Sequence, residues 1–203
     1  MGPVFPRLHV ITDSVAIATA VVAAGPPDRL AIQVRVTDGV TDRVAYDLAA
    51  EILAVCRAAG VMCLVNDLLH VALAVGADGG HVGADDLPVA AARKILPTGV
   101  VGATCRDPEA ARQAVAAGAS YLGVGPAYPT TTKTGLPAPL GPDRIGAVAQ
   151  AVPGTPVLAI GGVTVDRVAE LRRAGVAGVA VVGSVTRAAD PGAATARLIE
   201  ALA

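Results

Sequence analysis

Asp107-Pro108-Glu109, then Ala117-Gly118, then Tyr121-Leu122-Gly123-Val124-Gly125-Pro126: residues 107–126 hold one helix-to-strand unit, and its reading decides the fold. An acid ahead of proline starts a helix, because the carboxylate accepts a free N–H and proline has none to lose. The glycine ends it by supplying a left-handed cap. The apolar run that follows predicts a strand. Working outward, the unit recurs. Asp190-Pro191 repeats the start, and Ala59-Gly60, Val75-Gly76 and Ala174-Gly175 repeat the stop. Val44, Leu48, Ile52, Val55 and Ala59 keep helical spacing through Thr41–Ala59. Strands are predicted at Leu8–Ile11, Leu30–Val34, Val61–Val65, Asp78–Val82, Val100–Ala103, Tyr121–Val124, Val157–Ile160 and Gly178–Val182. Most read as continuous apolar runs without in/out alternation, as parallel strands covered on both faces do. Eight strand–helix units predict an α/β (β/α)8 TIM barrel, one domain over residues 1–203. An open doubly wound sheet is the alternative. It leads one to expect a glycine fingerprint after the first strand, where Thr12-Asp13-Ser14 stands.

With 203 residues, the chain is long enough to bury a core without disulfides. Its 53% apolar content is mostly Ala, Val, Leu and Ile, with one Phe and no Trp. Few aromatics and a net charge of −1 argue against nucleic-acid binding and against an anionic membrane surface. Cys56, Cys63 and Cys105 show no C-x-x-C spacing and read as reduced thiols. The N-terminus carries no basic run before an apolar core, and the two long uncharged stretches are interrupted by Gly and Pro. A cytoplasmic protein is expected. The oligomeric state, homo-oligomer included, stays open.

The strand at 121–124 opens into about 16 residues without periodicity, long enough to suggest a lid over a site. This segment carries Thr130, Thr131, Thr132 and Lys133, pinned by Pro126, Pro129, Pro137 and Pro139. In a barrel, the strands' C-terminal ends build the active site. Those ends read Gln33-Val34-Arg35, Asn66-Asp67, His81 through Asp86, Thr104-Cys105-Arg106, the threonine loop, Gly161-Gly162 and Gly183-Ser184. Asp67 and Asp86 suit a hard cation such as Mg²⁺. Helix capping is the alternative for both. Arg35 and Lys133 can neutralise phosphate, and the paired glycines let backbone N–H groups approach an anion. His9, His70 and His81 show no metal-ligand spacing, and Cys105 has no evident base. The composite is a site for two phosphorylated small molecules, one bound through metal and one through backbone.

These residues resemble the thiamine-phosphate synthase family along nearly the whole chain. The resemblance rests on Gln33-x-Arg35, Val65-Asn66-Asp67, His81-Val82-Gly83-x-x-Asp86, Gly125-Pro126-x-Tyr128-Pro129-Thr130-x-Thr132-Lys133 and Ile160-Gly161-Gly162-Val163-Thr164. It implies a transferase that joins hydroxymethylpyrimidine diphosphate to a thiazole phosphate and releases diphosphate. By the same resemblance, Gln33, Arg35, Asn66, Thr104 and Lys133 hold the pyrimidine diphosphate, and Asp67 and Asp86 bind Mg²⁺. Thr130, Thr131, Thr132, Gly162, Val182 and Gly183 hold the thiazole phosphate. Four positions depart from the family pattern. Thr37 replaces a lysine, Thr104 a serine, Arg106 a histidine and Gly183 a serine. Arg106, with Arg35 and Lys133, is expected among the catalytic cations, standing in for the lysine absent at Thr37. A thiazole tautomerase, or an inactive phosphate-binding relative, are the alternatives. The tautomerase depends on histidine at position 106 and lacks the Asn66-Asp67 pair.

Overall fold

The computed structural model describes residues 5–37, 39–132 and 135–203. Strands β1 (Leu8–Thr12), β2 (Leu30–Val34), β3 (Met62–Asn66), β4 (Gly79–Val82), β5 (Val100–Cys105), β6 (Tyr121–Val124), β7 (Val157–Ile160) and β8 (Gly178–Val181) form a closed barrel in sequence order. All neighbours are parallel, and Leu8↔Val179 through Val10↔Val181 seals β1 to β8. Closure excludes the open sheet.

Around the barrel run α1 (Val15–Val22), α2 (Asp42–Ala59), α3 (Leu69–Val75), α4 (Val89–Ile95), α5 (Pro108–Ala116), α6 (Gly141–Ala151), α7 (Val165–Arg173), the short α8 (Gly183–Thr186) and α9 (Pro191–Ala201). Their boundaries follow the local chemistry. Asp107 accepts from the N–H groups of Glu109 and Ala110, and Asp190 from that of Ala193. Gly60 and Gly76 cap α2 and α3 in the left-handed region, and Gly118 and Gly175 follow α5 and α7 with φ of 103° and 91°. On α2, the buried residues Ala45, Ala49, Ile52, Leu53 and Cys56 form the stripe that faces the sheet.

Most strands are buried along their whole length, as expected of strands covered on both faces, and their side chains divide between two cores. Val10, Ile32, Val65, Val101, Leu122, Val157, Ala159 and Val179 pack outward in the large core under the helices. Leu64, Tyr121 and Leu158 form a separate cluster inside the barrel, joined by Phe5, Met62 and Val100. Between them on the inward face stand His9, Gln33, His81 and Thr104, with Gly102 and Gly123. Small and polar inward residues leave the upper half of the barrel open, and this space positions the site. No helix among the described residues is long and apolar enough to cross a membrane.

Candidate active site

The mouth of the barrel holds a cavity of about 710 Å³. Every described residue expected at the site lines it. Gln33 and Arg35 come from β2 and its end, Asn66 and Asp67 from β3, and Asp86 from the β4 loop. Thr104 and Arg106 come from β5; Thr130, Thr131 and Thr132 from the β6 loop; Gly162 from β7; and Val182 and Gly183 from β8. Lys133 lies outside the described residues. Thr37 lines an adjoining cavity of about 170 Å³ together with Asp13, Arg35 and Thr132.

The two carboxylates are not helix caps. The N-cap positions of α3 and α4 are Leu68 and Pro88, and neither helix has a side-chain cap. Asp86 turns back instead, and its Oδ2 accepts the Gly83 N–H at 2.7 Å. Asp67 has φ of 60°, a left-handed conformation that costs a non-glycine residue free energy. It is held by its N–H donating to the His81 carbonyl at 2.8 Å and its own carbonyl accepting from Leu69 at 2.9 Å. Such strain is retained where surrounding contacts over-determine it, and it clusters at functional sites. Among the described residues, no three His, Cys, Asp or Glu side chains gather to hold a metal. Two carboxylates on one cavity match a Mg²⁺ that completes its shell with phosphate oxygens and water.

The β6 loop is sewn to the end of β7. Ala127 N–H donates to the Ile160 carbonyl at 2.7 Å and Tyr128 N–H to the Gly161 carbonyl at 3.0 Å. Its return is fixed by Leu140 N–H on Pro126 and Gly141 N–H on Ala127, at 2.9 and 3.1 Å. Gly161 and Gly162 have φ of 90° and 65°, and a Cβ at Gly162 would lie 2.5 Å from the Pro129 carbonyl oxygen. Only glycine lets this turn and the loop touch. Arg167 reinforces the junction: its guanidinium lies 4.2 Å from the Tyr128 ring centroid and donates to the Gly162 carbonyl.

Arg106 lines the cavity and also reaches the loop. Its two terminal nitrogens donate to the carbonyls of Gly125 and Ala138, each at 2.8 Å. It therefore ties the two ends of the threonine loop together. Arg35, by contrast, has no side-chain partner among the described residues, as suits a cation waiting for an anion. Cys105 is no nucleophile, since burial pushes its thiol up to about 12.

A family model described as thiamine monophosphate synthase matches residues 8–185. The chain belongs to this family. It is 56% identical to the thiamine-phosphate synthase of Salinispora arenicola and 58% identical to that of Salinispora tropica, each match covering 97% of both chains. Among solved structures, thiamine phosphate pyrophosphorylase from Pyrococcus furiosus superposes with a TM-score of 0.88 at 31% identity, over 98% of this chain and 96% of that one.

Sequence reasoning gave no functional role to several residues that line the cavity. Arg187 lines the cavity, and its guanidinium donates to the Thr131 hydroxyl at 3.4 Å. Arg167 was invisible as anything but a helix-surface charge. Tyr121 and His81 meet on the cavity floor although 40 residues apart. Of the other histidines, His70 is exposed and pairs with Asp42 at 3.1 Å, while His9 is buried with no well-formed hydrogen bond to its ring nitrogens among the described residues.

Proposed function

We propose that this chain is a Mg²⁺-dependent thiamine-phosphate synthase with its two substrates side by side in the barrel mouth. The pyrimidine diphosphate lies over Gln33, Asn66 and Thr104, with its charge toward Arg35 and Lys133. The thiazole phosphate lies against Thr130, Thr131, Thr132 and the backbone at Gly162, Val182 and Gly183. The observation that carries this reading is the convergence of the described residues of this set, with Asp67 and Asp86, from the ends of seven of the eight strands on one cavity. Kinship with synthases along nearly the full length of the chain supports it.

The chemistry asks little of any nucleophilic side chain. Diphosphate leaves only when its charge is neutralised, which the positive charges of Arg35 and Lys133 would do in part. Asp67 and Asp86 would hold Mg²⁺, which when bound supplies the further neutralisation that diphosphate requires. Departure leaves a pyrimidine-methylene cation stabilised by the ring amino group. The thiazole nitrogen, already held in position, then attacks it, so alignment replaces covalent catalysis. Arg106 contributes by fixing both ends of the loop that carries Thr130–Lys133. The diphosphate then meets one cation fewer than the family pattern supplies, because Thr37 brings none.

Thiazole tautomerase is not favoured: position 106 is arginine, and the Asn66-Asp67 pair is present. The test is an omission assay with the pyrimidine diphosphate, the thiazole phosphate and Mg²⁺. Thiamine phosphate should form only when all three are present. Conversion of a thiazole carboxylate phosphate alone, without metal, would support the tautomerase instead.

A further inference from the structure

Gln33 and Thr104 stand on β2 and β5, yet one chain of hydrogen bonds, buried at Tyr121 and part-buried at Thr104, joins them. Gln33 Nε2 donates to the Tyr121 hydroxyl at 3.2 Å. Tyr121 Oη lies 2.9 Å from His81 Nδ1, and His81 Nε2 lies 2.9 Å from Thr104 Oγ1. With the Gln33 amide nitrogen facing the tyrosine, one assignment gives each proton of the chain an acceptor within it: the tyrosine oxygen accepts from Gln33 and donates its own proton to Nδ1, the unprotonated nitrogen of a neutral imidazole. The ring proton therefore sits on Nε2 and is donated to Thr104. Two functions are left over, and both residues line the cavity. Gln33 keeps Oε1 as an acceptor with no protein partner among the described residues, and Thr104 keeps its hydroxyl proton as a donor.

The barrel is shaped around this chain. A Cβ at Gly102 would lie 2.2 Å from Tyr121 Cζ and 2.4 Å from His81 Nδ1, and one at Gly123 would lie 3.1 Å from His81 Cε1. Phe5 and His9 hold the other sides of the Tyr121 ring, at centroid distances of 5.1 and 5.0 Å.

We infer that Tyr121 and His81 are positioning residues: they lock the Gln33 carboxamide and the Thr104 hydroxyl so that the cavity floor offers one acceptor and one donor to an amino-substituted aromatic ring. This inference rests on the synthase reading for its ligand, and it makes the floor a selector for the amino group of the pyrimidine. A ring bearing a carbonyl at that position would set oxygen against oxygen at Gln33. Unpaired buried polar groups make such discrimination large.

Two measurements test it. Tyr121→Phe keeps the ring and deletes the hydroxyl. It should raise KM for the pyrimidine diphosphate about tenfold while KM for the thiazole phosphate changes less than about twofold. Because the hydroxyl acts in part through Gln33, the same substitution should have a clearly smaller effect in a Gln33→Ala background. An unchanged pyrimidine KM, or effects that multiply independently in the double variant, would overturn the inference. Separately, nitrogen-15 NMR of the wild-type histidines at neutral pH should show His81 as the Nε2–H tautomer. The Nδ1–H tautomer would reverse the chain and also overturn the inference. The NMR result stands whether or not the wild type makes thiamine phosphate, so failure of the synthase reading is recognised separately.

Discussion

Replacing His9 with leucine should stabilise the protein, and increasingly so as the solution is acidified. His9 is fully buried, and among the described residues its ring nitrogens have no well-formed hydrogen bond, only a weak contact with the Pro6 backbone. Burial, with a smaller contribution from nearby His81, lowers its pKa from 6.5 to about 3. The sign follows directly. Below about pH 6.5 the unfolded chain binds a proton at this histidine that the folded chain refuses, so folding weakens as pH falls and stops weakening near the folded value. At about 1.4 kcal/mol per pH unit per proton, the loss at pH 5 is about 2 kcal/mol for His9. His81, lowered from 6.5 to about 4, adds a similar loss over the same interval. At neutral pH an unsatisfied buried polar group costs about 1–3 kcal/mol, which leucine removes. His9→Leu should therefore gain about 1 kcal/mol or more at pH 7.5 and roughly 2 kcal/mol further at pH 5. Urea unfolding of both proteins at several pH values measures this. Parallel loss of stability in wild type and variant would refute the reasoning, since it would mean that His9 does not titrate differently on unfolding.

Three further outcomes follow from the site. Asp86→Asn should cut turnover by orders of magnitude with a nearly unchanged unfolding midpoint, because asparagine can still accept the Gly83 N–H; loss of folding with full activity in the cold would restore a structural role. Arg106→Ala should weaken the loop's anchorage and speed proteolysis within residues 129–137, whereas Thr37→Lys should lower KM for the pyrimidine diphosphate without altering proteolysis. A loop equally resistant in Arg106→Ala would sink the bracing role. Hydrogen exchange at Thr130–Thr132 should slow on adding thiazole phosphate, and equal exchange with and without it would rule out closure over the ligand.

The fold was legible because its punctuation is local. The acid–proline starts at Asp107 and Asp190 and the glycine stops at Gly60, Gly76, Gly118 and Gly175 act within one turn of themselves, so no tertiary knowledge is needed to read them. Ranking residues by strand end found the rim of the site for the same reason. The inward face of the strands was harder. Gly102 and Gly123 look like gaps in apolar runs, and their purpose appears only when Tyr121 and His81 fill the space above them. Tyr121 opens its strand and His81 stands within another, so neither alone signals a polar chain. Arg106 was legible as a cation at a strand end, but its contact with two loop carbonyls was not. Only the folded loop brings Gly125 and Ala138 within its reach.

The most direct test of the account is the stoichiometry of the reaction. The purified protein, given the pyrimidine diphosphate, the thiazole phosphate and Mg²⁺, should yield thiamine phosphate and diphosphate in equal amounts. Chelation should stop both products together, and added Mg²⁺ should restore both. Diphosphate release without thiamine phosphate, or equal yields after exhaustive chelation, would contradict the proposed site.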